Sequence, residues 1–253
     1  MARIVLSLTG KDRMRFLQGL VSNDLRRLAK ARILYAALLN AQGKYLVDFF
    51  MVDADDAVLL DVKDSHADLL EERLNHYRLR ADVQITRTGL QVTRGSGPAP
   101  DGAVPDPRDP ALGWRHYGDG AGADMPGDDA LRVAHLIPET GVELTPDSYI
   151  LEMGFERLGG VDFRKGCYIG QEVTARMKHK TVLRKGLVRV HLEGVAPPPG
   201  TPILMADGRE AGTLYTSAGD RALAWLRFDR IDERLTAGGV PVIPDPATEG
   251  QAR

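Results

Sequence analysis

ILYAALLN (33–40) and KYLVDFFMVD (44–53) stand on either side of Ala41-Gln42-Gly43. Both runs are rich in β-branched, aromatic and aliphatic residues, and a glycine closes the short polar break between them. This pattern predicts a β-hairpin. Asp48 sits inside the second apolar run. A carboxylate there must be hydrogen-bonded, face a cavity, or lie on the solvent side of a half-buried strand. Lining an internal pocket and facing solvent both fit the pattern.

Outward from the hairpin, RIVLSLT (3–9) reads as a strand. Thr9 and Asp12 have the spacing of a capping box, and Met14, Leu17, Leu20 and Val21 follow at helical intervals. Ser22-Asn23-Asp24 favours a turn and ends that helix. AVLLDV (57–62) is a third strand, and Asp64 caps a helix carrying Leu69, Leu70, Leu74 and Tyr77. VQITRT and LQVTR add strands. Helices and strands mix without strict βαβ alternation, so the fold class is α+β.

Residues 95–130 are rich in Gly, Pro and Asp, as in a linker or long loop. DPRDPALGWRHY (106–117) interrupts that stretch with Trp, Tyr and Leu, which argues against simple disorder. LRVAHLI (131–137) restarts regular structure, and 145–160 is expected to hold a short helix ending near Gly159-Gly160. From 185 onward, short strands separated by Gly, Pro and Asp turns predict a small antiparallel barrel or sandwich. The expected division is 1–94, 95–184 and 185–253.

The 253 residues are 43% hydrophobic and 27% charged, enough for a sizeable core. A net charge of −2 supplies no global field to recruit nucleic acid. No apolar run approaches the ~20 residues of a membrane span. MARIVLSLTGKDR lacks a signal peptide's apolar stretch and reads as a strand, leaving no room for a transit peptide; the expected location is cytoplasmic. A single cysteine excludes an internal disulfide and fits a reducing compartment. It also excludes a multi-cysteine metal or iron–sulfur site within one chain, so a cluster would need a second chain or a partner.

That cysteine, Cys167, lies in KGCYIGQE (165–172), between Gly166 and Gly170 and beside Arg164 and Lys165. Cations lower a thiol's pKa, and the glycines permit tight turns and close approach of a ligand. The bland alternative is a glycine turn with an inert thiol. Gln171 and Glu172 offer a carboxamide and a carboxylate to a heterocycle with amide and amino edges; Glu172 equally suits a helix N-terminus. Arg176, Lys178, Lys180, Arg184, Lys185 and Arg189 form a run without acids, a receptor for a polyanion or simply a solvated face. No aromatics interleave with it, so stacking on single-stranded nucleic acid is not supported. The six histidines show no metal-ligand spacing.

KGCYIGQE resembles the signature of the YgfZ-like proteins, folate-binding relatives of the glycine-cleavage T-protein aminomethyltransferase. The resemblance covers nearly the whole chain: LTGKDRMRFLQGLVSND, NAQGKYLVDFF, GGVDFRKGCYIGQEVTAR and GTLYTSAGDRALAWLR all take part. DPRDPALGWR is similar to a segment of the branch related to mitochondrial iron–sulfur assembly factors. The resemblance implies a T-protein-like ring of two α+β modules with a C-terminal small antiparallel β-barrel, around a central channel for tetrahydrofolate. It implies Cys167 as the chemically active group and Gln42, Asp48, Lys165, Tyr168, Gln171, Glu172 and Arg176 as folate or channel residues. Gly166 and Gly170 shape the loop, and no metal is held within one chain. The implied role is accessory to iron–sulfur client enzymes or assembly proteins, tRNA-modifying enzymes among the clients. The alternative is an aminomethyltransferase-type one-carbon enzyme. Two departures bear on that choice. The T-protein pattern has adjacent aspartates where this chain has Val47-Asp48, and many relatives have glutamate where Ala134 stands.

Overall fold

The structure, a computed structural model, describes residues 2–119, 128–180, 182–231 and 234–245, Lys180 in its backbone only. Part of the Gly/Pro-rich stretch, 120–127, and the Lys180 side chain of the basic run therefore lie outside the described residues. The chain divides into two compact units, 1–126 with 155–172, and 127–154 with 173–253.

The first unit is built on β1 (Arg3–Thr9), β2 (Ile33–Leu39), β3 (Tyr45–Ala54), β4 (Ala57–Lys63) and β5 (Gln84–Arg87), an antiparallel sheet in the order β2-β3-β4-β1-β5. The helices α1 (Arg13–Gln18), α2 (Leu28–Ala31) and α3 (Ala67–Arg78) accompany it. The predicted hairpin forms. Asn40 organises its turn: the side-chain oxygen accepts from the backbone N–H of Gln42 and of Lys44, both at 2.9 Å. The two helix caps expected here do not form. Asp12 turns its carboxylate to the backbone N–H of Asp82 (2.9 Å), and a 3-10 turn from Asp64 to His66 precedes α3.

Strand periodicity sorts this sheet into two chemically different faces. Leu34, Ala36, Leu38, Val47, Phe49 and Met51 join one aliphatic core, to which α3 adds Leu70 and Leu74. The intervening residues Tyr35, Asp48, Phe50 and Asp61 occupy the other face and are also buried. Segment 106–117, with β8 (Trp114–Gly118) in a small sheet between β6 (Gln91–Gly95) and β7 (Val104–Pro105), supplies their partners. Asp61 accepts from Arg115 Nη2 (2.5 Å), Arg3 Nε (2.5 Å) and the Tyr117 hydroxyl (2.9 Å). Asp106 pairs with Arg108 (2.8 Å) and Arg115 (3.3 Å), whose guanidinium carbons lie 4.8 and 3.9 Å from the Phe50 ring centre. Such cation–π contacts suit desolvated arginine.

The second unit contains α4 (Asp128–His135), most of α5 (Gln171–Lys180), and a closed barrel. The barrel strands are β9 (Lys185–Leu192), β10 (Pro202–Leu204), β11 (Glu210–Ala218), β12 (Arg221–Arg227), β13 (Leu235–Ala237) and β14 (Val240–Pro244), in the order β10-β11-β12-β9-β14-β13. Closure comes from β10 pairing with β13, which removes the free edges of the sheet. Buried Glu143 accepts from Arg132 of α4, from the Glu139 N–H (2.8 Å) and from the Thr216 hydroxyl of β11 (2.6 Å). Residues 150–159 run as successive turns rather than the expected helix; Gly154 and Gly159 take positive φ there (78° and 62°), outside the helical range.

Burial opposes ionisation of Asp106, but Arg108 and then Arg115 overcome it and hold its pKa at about 2, against 3.8 for an ordinary aspartate. Between those values the unfolded chain binds more protons. The carboxylate's stabilisation is therefore fully present above pH 3.8 and is lost as pH falls through about 2. Asp106→Asn should lower stability by about 2 kcal/mol at neutral pH. Denaturant titrations should show that deficit narrowing in acid; a deficit independent of pH would rule out the carboxylate charge as its source.

Candidate functional site

The KGCYIGQE loop belongs to the first unit and is fastened at both ends. At its start, the Lys165 side chain turns inward. Nζ donates to the carbonyl oxygens of Gln18 (2.9 Å), Val21 and Asn23 (3.0 Å), and lies 4.8 Å from the centre of the Tyr168 ring. The segment it grips is itself locked. Asn23 Nδ2 donates to the carbonyls of Tyr35 (2.8 Å) and Gly159 (2.7 Å), and the Ser22 hydroxyl donates to that of Gly160 (2.6 Å). The chain leaving α1, strand β2 and the approach to the cysteine loop are thereby joined. Burial pulls the Lys165 pKa down to about 8, with Asp24 opposing.

At the loop's other end Gly170 lies against the hairpin turn, with φ of 80°. A Cβ there would fall 2.7 Å from the Asn40 carbonyl oxygen and 3.0 Å from Gly43 Cα. The backbone angle and the close approach both call for glycine. Gly166 differs: it is exposed, has no positive φ, and would place a Cβ in open space.

Cys167 stands exposed between these anchors. The cation two residues before it serves backbone carbonyls rather than the sulfur. Tyr168 is buried, and its backbone N–H donates to the Gln171 side-chain oxygen at 3.3 Å. Gln171 opens α5 half-buried, and Glu172 follows exposed in the first turn. The hairpin tip carries Gln42, exposed. Asp48, further along β3, accepts from the hydroxyls of Tyr35 (2.8 Å) and Tyr45 (2.6 Å). Burial raises the Tyr35 pKa well above the usual value, so its hydroxyl keeps the proton it donates. The fold thus brings Gln42, Gly166, Cys167, Tyr168, Gly170, Gln171 and Glu172 to one hairpin-and-loop region. Lys165 acts inward, and Arg176 is exposed on α5 in the second unit. Lys185 and Arg189 of the basic run are engaged with Glu152 (3.9 Å) and Asp245 (2.6 Å).

Sequence reasoning missed the clasp formed by Ser22, Asn23 and Lys165. A turn triplet and a lysine beside a cysteine each have an ordinary local reading, and their partnership spans more than 140 positions. Among the described residues, no group of three His, Cys, Asp or Glu is placed to hold a metal ion. No helix there is long and apolar enough to cross a membrane.

Lys165→Met should leave three carbonyls without their donor, at ~1–3 kcal/mol for each that stays buried. The melting temperature should drop by several degrees, at ~2–4 °C per kcal/mol for a chain of this size. The folded pKa of about 8 lies below the ordinary 10.5, so the unfolded chain binds more protons between them. Wild-type stability should therefore rise relative to Lys165→Met across that window. A constant difference would mean that the carbonyls keep the ammonium charged throughout.

A family model described as the CAF17 C-terminal beta-barrel domain matches residues 184–248. The chain is 32% identical over 231 residues to a mitochondrial iron–sulfur cluster assembly factor IBA57 homolog of Mycosarcoma maydis, covering 78% of this chain and 57% of that protein. It is 30% identical to the mitochondrial iron–sulfur cluster assembly factor IBA57 of Mus musculus, covering 90% of this chain and 76% of the mouse protein. A crystal structure of the glycine cleavage system aminomethyltransferase T from Bartonella henselae superposes with a TM-score of 0.76 over 96% of this chain and 82% of that one. The two are 12% identical, and the likeness shows a shared fold. The cytoplasmic location expected from the sequence is overturned by these relatives, which are mitochondrial proteins. Motif, barrel and relatives agree: the chain belongs to the IBA57 family of iron–sulfur cluster assembly factors.

Proposed function

We propose that this protein assists the assembly or repair of iron–sulfur clusters in client enzymes, tRNA-modifying enzymes among them, through the Cys167 loop. The observation that carries the reading is an exposed thiol on a loop fastened at both ends by Lys165 and Gly170. A lone thiolate provides one ligand of the several a cluster needs. The remaining ligands then come from a client or an assembly partner, and the cluster is cargo rather than a resident group. Relatives named as iron–sulfur cluster assembly factors support this. The test is complementation of cells lacking the protein, with several iron–sulfur enzymes assayed. Cys167→Ser should fold with an unchanged melting temperature yet fail to restore client activity. Full restoration would remove the thiol from the mechanism.

Tetrahydrofolate is the proposed ligand of the same region. The donor set fits a pterin edge: the Gln171 carboxamide, half-buried, the Glu172 carboxylate and the Gln42 carboxamide pair with amino and amide groups. Asp48 contributes one carboxylate already held by two tyrosines, while Val47 points into the aliphatic core. With a single acid in the Val47-Asp48 pair, the accessory reading is favoured over aminomethyl transfer. Calorimetry with reduced folates should give saturable heats and a stabilised fold, ~2.7 kcal/mol at a hundred times the dissociation constant. Millimolar tetrahydrofolate without heat or stabilisation would remove folate from the proposal and leave the thiol's role standing.

A further inference from the structure

The second unit holds a cleft of its own. α4 contributes Ala130, Val133 and Ala134, and the barrel contributes Arg189 of β9, Ala218 at the end of β11 and Arg221 at the start of β12. They line an open cleft of about 320 Å³, the lower end of the range for small-ligand sites. Asp245 fixes both guanidiniums: Oδ2 accepts from Arg189 Nε and Oδ1 from Arg221 Nη1, each at 2.6 Å. Arg189 Nη1 also donates to the Ala134 carbonyl near the end of α4, at 2.7 Å. A guanidinium carries five N–H groups in a rigid fork, so both arginines keep donors beyond these bonds. Asp220 stands 3.9 Å from Arg221 Nε, is mostly exposed, and also lies 3.2 Å from His191 Nδ1.

We infer that this cleft binds a small monocarboxylate with a short aliphatic body, its carboxylate on Arg189 and Arg221 and its body against the alanines and Val133. Planar carboxylates match the guanidinium fork in geometry, and each arginine keeps N–H groups for one. The wall offered by Ala130, Val133, Ala134 and Ala218 has no side-chain donor or acceptor, so it suits alkyl groups rather than a sugar or a second charged group. Asp245 spaces the two arginines before any ligand arrives, which lowers the entropy lost on binding. A free short-chain acid and the C-terminal carboxylate of a peptide present this same chemistry.

The test is a titration of the full chain with butyrate, with N-acetyl-alanyl-alanine as its free acid, and with the C-terminal amide of that peptide. Methyl resonances of Ala130 and Ala218 are followed by NMR. The two acids should shift them and the amide should not. Tighter binding of the peptide acid assigns the site to chain termini, and tighter binding of butyrate assigns it to free acids. Arg221→Gln should weaken binding roughly tenfold or more, as expected for a lost charge-assisted contact. Ala218→Leu fills the cleft without touching either charge and should abolish binding. The inference fails if the amide shifts the methyls equally. It fails also if neither acid does so at about 10 mM, ten times a ~1 mM dissociation constant, or if the Ala218→Leu protein binds as wild type does.

Discussion

The ammonium of Lys165 gathers three backbone carbonyls from the last residue of α1 and the segment that follows it, and the first unit depends on that grip. A buried charge is costly unless its donors are fully used, and here three N–H groups meet three acceptors. Backbone carbonyls cannot move away without unfolding the segment that carries them. Ser22 and Asn23 extend the grip to Ala37, Tyr35, Gly159 and Gly160. The lysine next to the cysteine motif is therefore a structural peg, and the thiol two residues later is displayed because the peg points inward.

A second constraint runs through the sheet. With β2 buried along its whole length, both faces must be covered, and strand periodicity makes them chemically unlike. The aliphatic face packs as an ordinary core. The other carries Asp48 and Asp61, which require donors from elsewhere in the chain. Asp48 finds them in Tyr35 and Tyr45 of the same hairpin, and Asp61 finds Arg115 and Tyr117 in the segment rich in Gly, Pro and Asp. Residues 106–117 are ordered by their charges: Asp61 and Asp106 together bind Arg3, Arg108 and Arg115. Taking one partner away leaves an uncompensated buried charge, which destabilises far more than the intact pair stabilises.

Local chemistry was readable where it decides local structure. The hairpin, strands β1 and β4 to β6, and the succession of short strands in the barrel follow from alternation and turn residues. KGCYIGQE carried the T-protein-like architecture through its resemblance. What escaped depends on distant partners. Asp12 has the spacing of a cap, yet the Asp82 N–H offers it a better use. The short helix expected within 145–160 does not form, because Gly154 and Gly159 turn the backbone to positive φ. Residues 155–172 rejoin the N-terminal unit, a return that composition along the chain does not record. The two motif glycines look equivalent in sequence; only the nearness of Asn40 and Gly43 distinguishes Gly170 from Gly166.

The division of labour within the motif follows from these contacts. Lys165 and Gly170 fix the loop at residues five apart, Tyr168 fills the space beneath the ammonium, and Gln171 ties the turn back to Tyr168. Every one of these side chains or backbone groups faces the protein. Cys167, Gly166 and Glu172 face outward. Holding the loop at both ends reduces the conformational entropy that a partner binding the thiol would cost. The proposed exchange between two proteins calls for such a rigid display, because a sulfur that must meet a metal centre held elsewhere works only where the partner can find it. The inward groups supply that position, and the proposal assigns the chemistry to the cysteine they display.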